Sequence, residues 1–287
     1  DRMQFDPFGN RTVRAMMHPG YQNQSYVGPS APIDDQLSVI SIQTSKGKPL
    51  AVLANFSMHY HGGGGPADYF GLFADRLTKR LESEGRIPVC AMSQGTSGDL
   101  HWMNYGNANK GSNVSQYADG LVELAAQTLV GIRYQSSPPL AMDQKVITLS
   151  RRLPDAERLA WADKLLANMK DRRPKNRPEV YAEQARYIHQ NTTEKLVLQT
   201  LRIGDLGITT LPNEVYSITG LKLKARSPFS ATFNIELANG AAGYIPPPHQ
   251  HELGGYTTWP ARTAGLEVGA EPKIVETLLS SLESLAG

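Results

Sequence analysis

The chain has 287 residues, of which 40% are hydrophobic and 20% charged, and its formal net charge is +2 at pH 7. This length and composition are ordinary for a globular protein with a sizeable core. Lysines and arginines are scattered, apart from a short basic run at residues 171–177 that predicts a solvated turn between helices. Nucleic-acid binding, which needs a concentrated basic face, is therefore disfavoured. No stretch approaches the ~20 apolar residues that span a bilayer, so we expect no transmembrane segment.

Cys90 is the single cysteine, which excludes an intrachain disulfide. It lies inside an apolar run, and this favours an inert core residue over a nucleophile. One cysteine is compatible with the cytosol and with the periplasm. The chain begins at Asp1 without an initiator methionine or a signal peptide, which we interpret as the mark of a processed or truncated product.

Apolar runs and amphipathic segments alternate along the chain and predict strands and helices in turn. Residues 1–36 lack periodicity and predict a loop-rich lead-in, and residues 238–262 predict a long irregular stretch. The predicted strands are Leu37–Gln43, Leu50–Phe56, Ile87–Met92, Met142–Leu149, Lys195–Ile203, Gly207–Leu211 and Ala231–Leu237. The predicted helices are Tyr69–Glu84, Val114–Ile132, Asp155–Met169, Pro178–Gln190, Val215–Arg226 and Glu267–Leu285. The sequence therefore predicts an α/β fold in one domain, with a mixed sheet flanked by helices.

Polar side chains follow three of these strands at the point where each strand ends. His59 and His61 follow the first, Asp99 and His101 follow the second, and Glu214 follows a third. The first two strands with their intervening helix predict a βαβ unit, and sites form at the carboxyl edge of such units. Histidine and carboxylate are zinc ligands, although a hydrogen-bonded polar loop explains the same spacing. The irregular stretch adds His249, His251, Glu252 and Tyr256; its prolines predict an extended surface path for the two histidines.

Two glycine-rich segments invite a binding role. The run at residues 62–65 lacks the GK[ST] ending of a phosphate loop and the GxGxxG pattern of dinucleotide folds, which favours flexible backbone beside a site. In the segment Gly95-Thr-Ser-Gly98 the glycines allow backbone amides to point into a cavity as an oxyanion nest. Ser97 does not match the GxSxG nucleophile elbow, so a serine-hydrolase triad is not supported.

Five motifs together resemble the neutral/alkaline (non-lysosomal) ceramidase family, and in particular its bacterial ceramidase-like members of uncertain substrate. They lie in register over about two hundred residues of this chain. The motifs are Asn55-Phe-Ser-Met-His59, Ala67-Asp-Tyr-Phe-Gly71, Ser93-Gln-Gly-Thr-Ser-Gly-Asp99, Leu211-Pro-Asn-Glu214 and Leu253-Gly-Gly-Tyr256.

The resemblance implies an α/β catalytic domain that hydrolyses an amide bond, as in ceramide, with a buried zinc ion. In the family, two histidines, a glutamate and a tyrosine hold the zinc. Carried over to this sequence, the second histidine is His59, the glutamate is Glu214 and the tyrosine is Tyr256. Asp99, on the substrate side of the implied site, is an expected catalytic residue. The expected substrate-binding residues are Gly95, Thr96, Ser97, Gly98 and His61.

Two departures from the family pattern matter. The first zinc histidine of the family lies in a His-Thr-His-type motif that this chain lacks, so residues 1–287 correspond to the C-terminal portion of the catalytic domain. Two alternatives follow: a separate N-terminal companion fragment supplies the further histidine, or the sequence is only part of a longer molecule. In addition, His101 stands where ceramidases have a serine proposed to act in catalysis. A metal-activated water, with His101 as proton shuttle or oxyanion donor, fits better than a seryl nucleophile.

The resemblance also implies a secreted or periplasmic protein of sphingolipid metabolism. The expected substrate is a ceramide-like N-acyl lipid or a smaller amide or ester. Ceramide itself is disfavoured, because the C-terminal immunoglobulin-like domain of many ceramidases is not seen in this sequence. The alternative hypothesis is a lipid- or carbohydrate-binding relative that kept the fold and lost a complete zinc site. A serine or cysteine hydrolase is the weakest alternative.

Overall fold

The structure is a computed structural model that describes residues 3–83, 85–169 and 172–287. The first two residues of the predicted lead-in, the predicted helix end at Glu84 and the start of the basic run at residue 171 lie outside the described residues.

Strands and helices alternate along the described chain, and their order confirms the predicted α/β class. The strands are β1 (Gln4–Phe5), β2 (Arg11–Val13), β3 (Ser38–Gln43), β4 (Pro49–Phe56), β5 (Val89–Gln94), β6 (Leu140–Ser150), β7 (Thr193–Ile203), β8 (Leu206–Thr210), β9 (Glu214–Val215), β10 (Ala231–Ile235) and β11 (Tyr244–Ile245). The helices are α1 (Asp68–Leu81), α2 (Val114–Val130), α3 (Ala156–Met169), α4 (Arg177–Gln190), α5 (Ser217–Arg226), α6 (Pro248–Leu253) and α7 (Ala270–Ala286).

The predicted βαβ unit is confirmed by β4, α1 and β5. Strands β4 and β5 are parallel, with Phe56 opposite Gln94, so both carboxyl ends lie at the same edge. Strand β3 pairs antiparallel with β4 on the other side. Helix α1 buries Phe73 and Leu77 against this three-stranded sheet, because its apolar residues recur at helical spacing.

A second sheet has the strand order β10-β8-β7-β6. Strands β7 and β8 form the predicted hairpin, which turns at Gly204 with a φ of +62°. Helix α7 covers one face of this sheet and buries Ile274 and Leu278 against Leu196 and Leu198. The second sheet is also mixed, since β10 is parallel to β8 and the other pairs are antiparallel.

The two sheets meet through polar contacts at the carboxyl ends of their strands. The Asn55 side-chain amide donates to the Asn234 carbonyl at 2.9 Å, and the Glu236 amide donates to the Gln94 carbonyl at 3.1 Å. The mixed sheet that the sequence predicts is therefore split in two. The junction brings the carboxyl ends of β4, β5 and β10 together.

The stretch at residues 238–262, which the sequence predicts to be irregular, contains β11 and α6. Strand β11 pairs in parallel with β9, and this places Tyr244 directly opposite Glu214. The extended path predicted for His249 and His251 is wrong, because Pro248 begins α6. Proline has no backbone N–H, but the N–H groups in the first turn of a helix have no partner within the helix. Proline can therefore begin this helix without the loss of a hydrogen bond.

Helices α3 and α4 pack as a pair through alanines, with Ala162, Ala182 and Ala185 at their contact. Within the described residues, no helix is both long and apolar enough to cross a membrane.

Candidate functional site

His59 lies just beyond β4 with both ring nitrogens engaged. Its Nδ1 lies 2.5 Å from the Ser97 carbonyl oxygen and its Nε2 lies 3.0 Å from Glu214 Oε2. A carbonyl oxygen only accepts, so Nδ1 carries a proton and donates it to Ser97. The Nε2 lone pair of the neutral ring then faces a carboxylate, and this contact is favourable only with a cation, a proton or a metal ion, between the two atoms.

The tyrosine hydroxyl at this pair belongs to Tyr244. It lies 3.5 Å from His59 Nε2 and hydrogen-bonds to the Glu214 carboxylate. The parallel pairing of β9 with β11 is the cause, since it sets Tyr244 beside Glu214. Tyr256, which the family resemblance assigns to the metal, packs edge-on against the Tyr244 ring with 5.7 Å between the ring centroids. The structure thus brings the hydroxyl of Tyr244, rather than that of Tyr256, to His59 and Glu214. Tyr256 follows α6 in the chain.

The electrostatics of His59 and Glu214 reflect this contact. Burial lowers the pKa of His59, but the hydrogen bond to the Glu214 carboxylate and the charges of Glu236 and Glu214 more than offset this effect, so the pKa is raised. Burial raises the pKa of Glu214, and the hydrogen bonds of His59 and Tyr244 outweigh this and hold the pKa below its ordinary value. Both shifts favour positive charge at His59 and negative charge at Glu214.

Glu236 is a buried carboxylate beneath this pair that the sequence analysis did not single out. Its Oε1 accepts from Gln94 Nε2 at 2.8 Å and from Ser97 Oγ at 2.5 Å. Its Oε2 accepts from the backbone amides of Ser97 at 3.1 Å and Val215 at 2.7 Å. Burial raises its pKa to about 7. Glu236 follows β10 directly, as other candidate residues follow their strands, but the predicted strand Ala231–Leu237 included Glu236 and so concealed this position.

The segment at residues 95–98 does not form the predicted oxyanion nest. The amides of Gly95, Ser97 and Gly98 donate to Phe56, Glu236 and Val215, and so they face protein acceptors rather than a cavity. The glycines serve close packing instead. A Cβ on Gly95 would lie 2.4 Å from Ser57 Oγ, and one on Gly98 would lie 2.8 Å from the Glu214 backbone.

The side chains of Thr96 and Ser97 are buried, and the Ser97 hydroxyl is committed to Glu236. The Ser97 hydroxyl therefore faces a carboxylate inside the protein. Cys90 is also buried, and burial raises the pKa of its thiol, as expected of a core residue.

Asp99 lies near His59 and holds the start of a helix. Its Oδ1 accepts from the Ser217 amide at 2.7 Å, where α5 begins and amides lack helical partners. Burial raises its pKa to about 6 in spite of this hydrogen bond and the charge of His59. The predicted substrate-side role of Asp99 stays a prediction beside this capping role.

Both ring nitrogens of His101 have backbone partners. Nε2 lies 3.1 Å from the Met17 carbonyl oxygen, and Nδ1 accepts from the Met103 amide at 3.2 Å. The ring stacks on His18 with 5.6 Å between the centroids. Burial lowers the pKa of His101, so the neutral ring is favoured. Its predicted role as proton shuttle would require the Met17 contact to open.

The His61 ring has partners different from those of His59. Its Nε2 lies 2.6 Å from Ser112 Oγ, and its ring stacks on Trp102 with 5.0 Å between the centroids. The adjoining glycine run is held by the Asp68 carboxylate, which accepts from the amides of His61 and Gly62 at 2.9 and 2.8 Å. These contacts give His61 a structural role, and its predicted contact with substrate stays untested.

The chemistry of the donors at His59 fits a zinc ion. Catalytic zinc takes three protein ligands with nitrogen or oxygen donors, and its histidines donate their second N–H to a carbonyl or carboxylate. His59, Glu214 and Tyr244 supply one nitrogen and two oxygens, and the Ser97 carbonyl takes the second N–H. Among the described residues, no cluster of three His, Cys, Asp or Glu side chains forms a metal site. The fit therefore depends on the phenol of Tyr244.

No protein-family profile and no curated protein sequence matches the chain. Two solved structures have a similar fold. The crystal structure of neutral ceramidase from Pseudomonas aeruginosa gives a TM-score of 0.63 at 14% identity and covers 88% of this chain and 47% of its own. A ceramidase complexed with C2 gives a TM-score of 0.64 at 12% identity and covers 88% of this chain and 48% of its own. The chain has the α/β fold of these ceramidases and spans about half of their length.

Proposed function

We propose that this chain carries the catalytic centre of a zinc-dependent amidohydrolase that cleaves an N-acyl amide. The observation that supports the proposal is the convergence of His59 Nε2, the Glu214 carboxylate and the Tyr244 hydroxyl at the carboxyl edge of the strands. The ceramidase-like fold is consistent with this reaction. Ceramide-like N-acyl lipids and smaller amides are the proposed substrate class.

A bound zinc ion would supply Lewis acidity that polarises a carbonyl and activates water. The residues of the chain prepare the site for that ion. The Ser97 carbonyl fixes the His59 tautomer so that Nε2 is free to coordinate, and the Tyr244 hydroxyl lies beside Glu214 for the same purpose. Glu236 ties Ser97 to Val215 and so holds the two halves of the site together.

The proposal extends to an N-terminal companion segment that supplies a further zinc histidine, as in the family that the sequence resembles. This part of the proposal rests on the resemblance to that family. A secreted or periplasmic location belongs to the same proposal.

Zinc content and hydrolysis of a soluble N-acyl amide test this function. We expect the purified protein to retain zinc after dialysis against a buffer without chelator. His59→Ala should lose the metal and lower kcat/KM at least about 100-fold, because ligand loss removes the Lewis acid. Tyr244→Phe should weaken zinc retention, whereas Tyr256→Phe should leave it unchanged. His249→Asn, at an exposed histidine of α6, is the matched control.

Zinc-free wild-type protein without hydrolytic activity would overturn the proposal and favour the binding-protein alternative. Weaker zinc retention in Tyr256→Phe, with Tyr244→Phe unaffected, would show that Tyr256 is the ligand, as the family resemblance implies.

A further inference from the structure

An aromatic groove adjoins the candidate metal site, with Tyr256 in its lining, and has no role in the proposed hydrolysis. Its volume is about 580 Å³, within the range of roughly 300–1,000 Å³ that small-molecule sites occupy. One wall is the face of α4 formed by Arg177, Val180, Tyr181 and Gln184. These residues lie at helical spacings i, i+3, i+4 and i+7 and so share one side of the helix.

The opposite wall is the loop that follows α6, with Tyr256 and Trp259. Trp259 packs edge-on against Tyr181 across the groove, with 5.7 Å between the ring centroids. Tyr256 packs against the Tyr244 ring, whose hydroxyl lies at His59. Tyr256 therefore lines the groove and contacts the ring of Tyr244, so the groove lies next to the candidate metal site.

Two guanidinium groups border the apolar floor. Arg177 lies over the Trp259 ring, with its Cζ 5.2 Å from the centroid. Arg262 lies over the Tyr187 ring at 4.6 Å and donates to Gln184 Oε1 at 3.1 Å. These partners are uncharged, and the groove-lining residues include no carboxylate.

This arrangement selects for a particular ligand. An apolar chain gains free energy against the aromatic walls, and an anionic group gains charge-assisted hydrogen bonds from a guanidinium that has no competing carboxylate at the groove. A neutral polar head would leave both arginines without an anionic partner. The planar fork of arginine is suited to carboxylate, sulfonate and phosphate alike.

We propose that this groove binds anionic N-acyl amides, with the acyl chain against Trp259 and Tyr181 and the anionic group on Arg177 or Arg262. The inference rests on the proposed amide hydrolysis for its substrate, and it adds the charge of the amine portion. The groove then determines specificity, and the candidate metal site carries out the reaction.

A matched pair of ligands tests the proposal without relying on turnover. N-Dodecanoylglycine and N-dodecanoylethanolamine share chain and amide, but the first ends in a carboxylate and the second in a hydroxyl. Isothermal titration of each below its critical micelle concentration, into wild-type protein and the non-hydrolysing His59→Ala variant, gives the two Kd values. We expect N-dodecanoylglycine to bind at least about tenfold more tightly.

The preference should fall in Arg177→Gln or in Arg262→Gln and disappear in the double variant, whereas the Lys replacements should keep most of it. Arg186→Gln is the control, because it removes the same charge from α4 at an exposed position outside the groove, where Arg186 pairs with Asp163. Circular dichroism of each variant checks its fold. A preference that survives in the double variant, equal Kd values in the wild type, or no binding of either ligand would overturn the proposal. Binding with the expected preference but without hydrolysis in the zinc-loaded wild type would overturn the proposed function alone.

Discussion

Three histidines follow strand ends in this chain, and the partners of their ring nitrogens separate them. His61 and His101 give both nitrogens to neighbouring hydroxyl or backbone groups. His59 gives one nitrogen to a carbonyl and directs the other at a carboxylate. The spacing His59-x-His61 does not predict this difference, because the partners of His59 are distant in the chain.

At the residue scale, we expect His251 to make the free energy of unfolding depend on pH. Burial, together with the charge of Arg152, lowers its pKa to about 4, and its buried Nδ1 has no hydrogen-bond partner among the described residues. The unfolded chain binds a proton near pH 6.5, whereas the folded chain does not, so the free energy of unfolding should decrease as pH falls from about 6.5 to 4. After allowance for solvent screening, we expect a contribution of about 1–2 kcal/mol.

Urea unfolding of wild type and His251→Asn at several pH values between 4 and 8 measures this contribution. The variant should lose less stability between pH 6.5 and 4 than the wild type. His249→Asn, at the exposed histidine two residues earlier, should follow the wild-type profile. Parallel profiles for wild type and His251→Asn would contradict the assignment.

At the scale of elements, two helical glycines show how packing overrides helix propensity. Gly120 in α2 is exposed, and a Cβ placed there meets nothing within 4 Å. Gly220 in α5 is buried, and a Cβ placed there would lie 2.0 Å from Thr96 Oγ1. The α5 glycine therefore allows the helix to approach the 95–98 segment closely and so positions the candidate site.

Alanine at the two positions should have opposite effects. Gly120→Ala should raise the free energy of unfolding by up to about 1 kcal/mol, because alanine loses less backbone entropy on folding. Gly220→Ala should lower it by about 1–3 kcal/mol, because the methyl group overpacks the contact with Thr96. Thermal and urea unfolding measure both values. Stabilisation by Gly220→Ala would show that α5 and Thr96 are further apart than the structure places them.

At the scale of the whole molecule, β6 presents an apolar face without a covering element in the described part of the chain. Leu140, Met142 and Val146 point to this side with exposed fractions of 74%, 61% and 58%. An exposed apolar edge strand of this length favours association with other chains.

We expect Val146→Lys to reduce concentration-dependent association of the protein, measured by light scattering or sedimentation velocity. A charge on this face opposes edge-to-edge contact and leaves the buried face of β6 intact. Thr148→Lys on the same exposed face introduces the same charge without removing an apolar group, and so it should have the smaller effect. A monodisperse wild type at high concentration would argue that this face does not drive association.

Much of the fold was predictable from local pattern. The apolar runs Leu50–Phe56 and Ile87–Met92 and the helical spacing in α1 predict a βαβ unit, because apolar segments must be buried whatever they pack against. The division into two sheets was not predictable, because it depends on the contacts of Asn55 with Asn234 and Glu236 with Gln94. Prolines misled the prediction for α6, since the same residue favours an extended path and the first helical turn.

The sequence by itself determined the α/β class and placed His59 and Glu214 at strand ends, because strand ends are local features that turn residues and apolar runs mark. The tertiary structure alone decided that Tyr244 joins them, that Glu236 lies beneath them and that the amides of residues 95–98 turn inward. These outcomes depend on strand register and on hydrogen bonds between residues far apart in the chain. Short-range periodicity carries no information about such partners, and burial forces each polar group to find one.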